Sequence, residues 1–208
     1  MVGQLTRVTR DALARPVPAV ARDLLGAVVV HDDRDGVVAV RLTEVEAYAG
    51  GADPASHAAR GRTPRTAVMF GPAGHAYVYF SYGMHWCMNV VAGPDGEASA
   101  VLLRAGEVVE GLSLAVDRRP GATRRDLARG PARLTRALGV GREQDGADLC
   151  AVDAALRLER GGPVAGDRVR SGPRVGVSVG TDSPWRFWLA GEPTVSAWRP
   201  GRPRRTPG

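Results

Sequence analysis

Two blocks of strand-forming residues, each folded over a turn, commit this chain to a β-sheet. Ala27 to His31 and Val37 to Ala47 are rich in valine and flank Asp33-Arg34-Asp35-Gly36, a hairpin signal. Ala76 to Ala92 is the second block. It breaks at Tyr82-Gly83, where glycine supplies the backbone freedom of a tight turn. Ala100 to Ala105, Leu156 to Glu159, Arg174 to Val179 and Arg186 to Leu189 read as further strands. Helices are expected at Ala19 to Leu25, stopped by Gly26, at Glu107 to Val116, and at Ala132 to Leu138, entered through Gly130-Pro131. The residues up to Pro18 offer at most one short helix. This order implies an α+β single domain with a curved antiparallel β-sheet, a protruding β-hairpin and flanking helices. Residues 1–18 are expected to be a partly ordered N-terminal extension, 19–198 the folded domain, and 199–208 a disordered Arg/Pro/Gly tail.

Hydrophobic residues form 44% of the 208 positions and charged residues 24%, a balance that supports a core and argues against wholesale disorder. The longest apolar runs, such as Leu24 to Val30, are too short to span a bilayer, and no basic-then-apolar leader opens the chain. A cytoplasmic protein without a membrane partner is expected. Cys87 and Cys150 form no Cys-x-x-Cys pair, which excludes a zinc site built on paired thiolates; two buried, reduced thiols are expected.

The net charge of +6 favours a polyanionic partner, and its distribution is more telling. Between Arg118 and Arg142 stand eight arginines and a single acid, Asp126; Arg60, Arg62 and Arg65 form a second cluster. Both lie beside turns rich in Gly, Pro and Thr that expose backbone N–H groups, as phosphate-binding surfaces do; a solvated charged face is the plainer alternative. Lysine is absent altogether.

Two segments carry candidate chemistry. In Leu42-Thr-Glu-Val-Glu-Ala-Tyr48, strand alternation places Glu44, Glu46 and Tyr48 on one face. Spacing alone is equally satisfied by a sheet surface salt-bridged to arginine, and Glu44, Glu46 and His57 could offer ligands to a metal, although no second closely spaced histidine supports one. The other segment runs from Tyr77 to Asn89. It holds five aromatic residues although aromatics make up only 5% of the chain. Phe80 and Trp86 suit a packed hairpin. Tyr82, just before the turn glycine, suits an exposed tip that a nucleic acid would cover, as a wedge filling the gap left by an extruded nucleotide.

Taken in order, Ala21-Arg-Asp-Leu-Leu-Gly26, Glu44-Val-Glu-Ala-Tyr48, His57, Arg62-Thr-Pro-Arg65, Met69-Phe70, Tyr77-Val-Tyr79, Tyr82-Gly-Met84, Cys87-Met-Asn89, Val101-Leu-Leu-Arg104-Ala105, Gly130-Pro131 and Arg174-Val-Gly-Val177 resemble the alkyladenine (methylpurine) DNA glycosylase family over most of the chain. Val45, Ser81 and Trp86 depart from that pattern. The resemblance implies an enzyme that flips a damaged, alkylated or deaminated purine out of double-stranded DNA and hydrolyses its bond to the sugar, as a monomer and without metal or cofactor. It makes Glu46 the base that activates water, Arg104 an arginine beside that water and the backbone phosphate, and Val175 a carbonyl holding the water. Tyr48, His57 and Tyr79 become the walls around the flipped base, and Asn89 the residue that rejects guanine's exocyclic amine. Tyr82 and Met84 become the intercalating tip, and Arg62, Thr63, Arg65, Met69 and Arg133 contacts to the DNA phosphates. Arg104 is expected to keep Glu46 ionised. A strand-nicking glycosylase usually needs an amine for a Schiff base. With no lysine here, only the N-terminal amine remains, so the expected product is an abasic site on an intact strand. A protein that binds distorted DNA without cutting is the competing reading.

Overall fold

The computed structural model describes residues 6–81 and 83–201. Its spine is a strand of thirteen residues, β2 (Gly36–Tyr48), buried along most of its length. One edge of β2 pairs antiparallel with β5 (Ala100–Glu110). The other edge is shared. Its first half pairs with β1 (Val28–Asp33) through the Asp-Arg-Asp-Gly turn, and Glu44 to Glu46 pair with β8 (Arg186–Leu189). Outside β5 lie β4 (His85–Val91) and β3 (Ala76–Ser81), a hairpin whose last pair is Ser81 opposite His85. Beyond β1 lies β6 (Leu156–Glu159), and β7 (Val169–Gly172) pairs with β8. The result is an eight-stranded antiparallel sheet.

The described residues contain four α-helices: α1 (Arg10–Leu13), α2 (Val17–Asp23), α3 (Leu112–Arg118) and α4 (Pro131–Leu138). In α4, Leu134, Thr135, Ala137 and Leu138 face the core, the i, i+3, i+4 stripe of a helix lying on a sheet. Gly139 ends it with φ of 72°, and the Val140 N–H reaches back to the Thr135 carbonyl, a left-handed cap that a side chain would strain. Leu13, Val17 and Val20 join the same core as the sheet, and the Val8 N–H donates to the Leu158 carbonyl, so the chain from Thr6 onward is tied to the domain. None of these helices is long and apolar enough to cross a membrane. Cys87 is buried as expected, whereas Cys150 is half-buried; both are free thiols.

Two segments differ from the sequence reading. Glu107 to Glu110 continue β5 instead of starting a helix, since Val108 pairs with Val40 and fits a pleated surface. The helix begins only after Gly111, whose φ of 71° turns the chain where a side chain would run into the Val37 carbonyl. Arg174 to Val179 are not a strand. Pro173 and Gly176, with φ of 73°, keep this stretch irregular, and the strand forms just before it as β7.

Candidate active site

Glu44, Glu46 and Tyr48 do share one face of β2, although the pairing with β5 is irregular there. Glu44 lies opposite Ala105 and Val45 opposite Leu103, which leaves Arg104 as the extra residue on β5. A bulge of this kind redirects one side chain. The Arg104 guanidinium spans both acids, Nε donating to Glu44 Oε1 at 3.1 Å and Nη1 to Glu46 Oε2 at 3.3 Å. Burial alone would favour losing its proton, but the charges of Glu46 and Glu44 outweigh burial and raise its pKa.

The two carboxylates, both fully buried, differ in what else they accept. Glu44 Oε1 also receives Arg186 Nε at 2.7 Å and the Ser196 hydroxyl at 2.9 Å, and Oε2 receives the Ser196 N–H at 2.6 Å. With Arg104 that makes four donors, three on Oε1 and one on Oε2. Glu46 receives three: Arg104, the Tyr48 hydroxyl at 2.9 Å on Oε2, and the Val175 N–H at 2.7 Å on Oε1. Among the described residues, one acceptor position on Oε1 therefore stays open. Burial, reinforced by the neighbouring Glu46 charge, lifts the Tyr48 hydroxyl well above its ordinary pKa, so it remains a donor.

Val175 meets Glu46 through its N–H, whereas the sequence reading assigned a role to its carbonyl. The residue that holds it there, Arg174, was not singled out from sequence. Arg174 is buried and grips Asp53 in a two-pronged pair, Nη1 to Oδ2 and Nη2 to Oδ1 at 2.5 and 2.8 Å. It also donates to the carbonyls of Ala47 and Gly180, and its guanidinium stacks between the rings of Tyr48 and Trp185. Burial would raise the Asp53 pKa, but the hydrogen bonds and charge of Arg174 dominate and lower it. One residue thus fixes the ring of Tyr48 and the backbone beside Glu46.

The expected base-binding walls converge. His57, from the long loop, stands edge-on to Tyr79 at 4.5 Å and shares a hydrogen bond with the Tyr77 hydroxyl at 3.1 Å. Burial, and then the charge of Arg65, lower the His57 pKa, which keeps the ring neutral near pH 7. Tyr77 stacks on Tyr79 at 5.4 Å; it is a residue of this wall to which the sequence reading gives no role. Burial and then Cys87, its cross-strand partner, push the Tyr79 hydroxyl upward. Asn89 is buried and donates from Nδ2 to the Tyr77 carbonyl. Met84 is exposed at the hairpin turn beside Gly83, while Tyr82 lies outside the described residues. Glu44, Glu46 and His57 do not assemble as metal ligands: among the described residues no group of three or more candidate ligands is placed to hold a metal ion.

Of the expected phosphate contacts, Arg62, Thr63 and Arg65 are exposed on a turn closed by mutual hydrogen bonds between Thr63 and the buried Thr66. Arg133 is exposed on α4. Met69 differs. Its side chain packs beside Tyr77 in a small core, and its N–H donates to the Thr66 carbonyl, so it supports the loop from beneath. The arginine-rich stretch also divides. Arg118 is tied to Asp33, and Arg129 to Asp126 and the Val195 carbonyl. Arg124, Arg133, Arg136 and Arg142 face outward. The hydrogen bond from Arg125 leads the effects that hold the Asp126 carboxyl down to about 2.

Residues 11–193 match the family model described as methylpurine-DNA glycosylase (MPG). The chain belongs to that family. Similar proteins occur in Streptomyces avermitilis, 58% identical over 203 residues (96% of this chain, 95% of the relative), and in Frankia casuarinae, 59% identical over 201 residues (92% and 93%). A third, from Nocardia farcinica, is 55% identical over 207 residues (97% and 95%). Each of the three is provisionally named a 3-methyladenine DNA glycosylase. Every residue discussed above as part of the glycosylase site, from Glu46 and Tyr48 to Arg104 and Val175, falls inside the matched span.

Proposed function

We propose that this protein is a monofunctional DNA glycosylase that flips alkylated or deaminated purines, such as 3-methyladenine, hypoxanthine or ethenoadenine, out of the duplex and hydrolyses the N-glycosidic bond. The observation that carries the reading is the unfilled acceptor position on Glu46 Oε1, beside a wall of Tyr48, Tyr79 and His57. A water seated there would give its proton to Glu46 as its oxygen attacks the sugar carbon. Base catalysis of this kind is worth a factor of roughly 10²–10⁴. Arg104, Tyr48 and the Val175 N–H hold the carboxylate in one orientation, so little reorganisation precedes reaction. Alkylation at a ring nitrogen makes the purine cationic and a ready leaving group, so one carboxylate suffices where sugar hydrolases use two.

Asn89 borders the pocket as the discriminator against guanine's amine, and Tyr82 and Met84 serve as the wedge that replaces the flipped base. Arg62, Thr63 and Arg133 hold the phosphates. The absence of lysine supports hydrolysis without strand cleavage. The protein acts as a monomer in the cytoplasm, on the nucleoid.

The test is a duplex bearing a single hypoxanthine or ethenoadenine, incubated with the protein and a chelator and then treated with hot alkali. Cleavage at the lesion is expected, and borohydride should trap no covalent complex. Failure to cleave at hypoxanthine, ethenoadenine and 3-methyladenine alike would contradict the reading and favour a protein that only binds distorted DNA.

A further inference from the structure

Two guanidiniums stand over two of the pocket's tyrosine rings, and their charges are treated differently. Arg174 lies 4.6 Å from the centre of the Tyr48 ring, and Asp53 neutralises it through the two-pronged pair. Arg65 lies 5.3 Å from the centre of the Tyr79 ring, and among the described residues no carboxylate is paired with it. Its influence extends along the same wall. It sits beside the Tyr77 hydroxyl, and its charge helps keep His57 unprotonated.

An aromatic face attracts a cation through its ring quadrupole, and one cation already in place repels a second. A counter-ion removes most of that repulsion, whereas solvent around an exposed guanidinium such as Arg65 only reduces it, so the effect is severalfold and not larger. Tyr48 therefore meets an incoming base beside a neutral ion pair, and Tyr79 meets it beside a bare positive charge. An uncharged purine stacks by dispersion and polar contact and is indifferent to that charge. A purine alkylated on a ring nitrogen is not.

We propose that Arg65 acts as a charge filter on the lesion pocket, its unpaired guanidinium over Tyr79 weakening the hold on permanently cationic purines relative to uncharged ones. This specificity role rests on the glycosylase reading above and replaces the phosphate contact that the family resemblance implies for Arg65. A phosphate contact strengthens binding of every lesion equally, whereas the filter changes the ratio between lesions.

The experiment compares wild type, Arg65→Gln and Arg65→Lys in single-turnover release of 3-methyladenine from methylated duplex and of hypoxanthine from synthetic duplex. The protein concentration giving half the maximal rate is measured for each. Arg65 is exposed, so both variants should fold, and their melting temperatures verify it. In Arg65→Gln the preference for 3-methyladenine over hypoxanthine should rise by about two- to fivefold. In Arg65→Lys, which keeps the charge, it should stay at the wild-type value. An unchanged ratio in Arg65→Gln, with both half-saturation values rising together, would overturn the proposal and leave Arg65 a phosphate ligand. An equal rise in both variants would overturn it too, because side-chain shape and not charge would then be responsible. Failure of the wild type to release either base would instead remove the glycosylase reading itself.

Discussion

Glu44 and Glu46 sit two residues apart on the same face of the same strand, equally buried, and both touch Arg104. Their surroundings separate them. Glu44 takes four donors, from Arg104, Arg186 and both polar groups of Ser196, and it ties β2 to β5, to β8 and to the chain after β8. Glu46 is braced by three donors, one of them a guanidinium and one the hydroxyl of Tyr48. The difference teaches what separates a buried structural carboxylate from one proposed to react: both need partners to be buried at all, but the first is gripped by two guanidiniums and the chain after β8, and the second by one guanidinium and the hydroxyl of Tyr48. Of the two readings that the spacing could not tell apart, the salt-bridged sheet is present at Glu44, and the base is the role proposed for Glu46.

The comparison breaks most sharply by substitution. Glu46→Gln should lower single-turnover excision by on the order of 10²–10⁴ while lesion binding persists; gel-shift and excision assays on one duplex read both. Glu44→Gln leaves Arg104 and Arg186 short of a counter-ion, and loss of one partner from a buried ion pair costs roughly 3–5 kcal/mol. Its signature is a lower midpoint in urea unfolding, with the catalytic step preserved in molecules that remain folded. Tyr48→Phe removes one brace from Glu46. A hydrogen bond to a charged group contributes about 1.5–3 kcal/mol, so excision should slow by roughly ten- to a hundredfold. Restored wild-type rates in that variant would show that the tyrosine hydroxyl does not orient the carboxylate.

The smallest effect expected is in acid. Asp33, Asp53, Asp126 and Asp148 all have pKa values held below the ordinary aspartate value of 3.8 by arginine and backbone donors, against the opposing effect of burial where it leads. Depressed carboxyls stabilise the fold above their unfolded pKa, and that contribution is lost as pH falls through the folded values. Urea midpoints should therefore hold steady down to about pH 5 and decline below pH 4, towards the value of about 2 for Asp126. A decline already complete at pH 5 would place the acid sensitivity elsewhere, for instance at His57.

Much of this was legible in the sequence, for local reasons. The hairpin turn at Asp33 to Gly36, the break at Gly83 and the helix entering at Pro131 are each encoded within a few residues, and alternation along β2 put Glu44, Glu46 and Tyr48 together. Where local signals conflicted, the reading failed. Glu107 to Glu110 look helical until the pairing of Val108 with Val40 holds them in the sheet. The supports of the site were hidden for a different reason. Arg174 reaches Asp53 across 121 residues, and Ser196 reaches Glu44 across 152, and no spacing rule links such positions. The one available hint was that Arg174 directly precedes Val175 in the Arg-Val-Gly-Val run.

The most direct test sets Glu44→Gln and Glu46→Gln side by side, measuring the melting temperature and the single-turnover excision rate of hypoxanthine for each. The predicted outcome is a crossed pattern: Glu46→Gln, which loses one ion pair, melts above Glu44→Gln, which loses two, yet Glu46→Gln does not excise while Glu44→Gln excises when folded. Near-normal excision by Glu46→Gln would contradict the account, because the carboxylate beside Tyr48 would then not be the base that activates water.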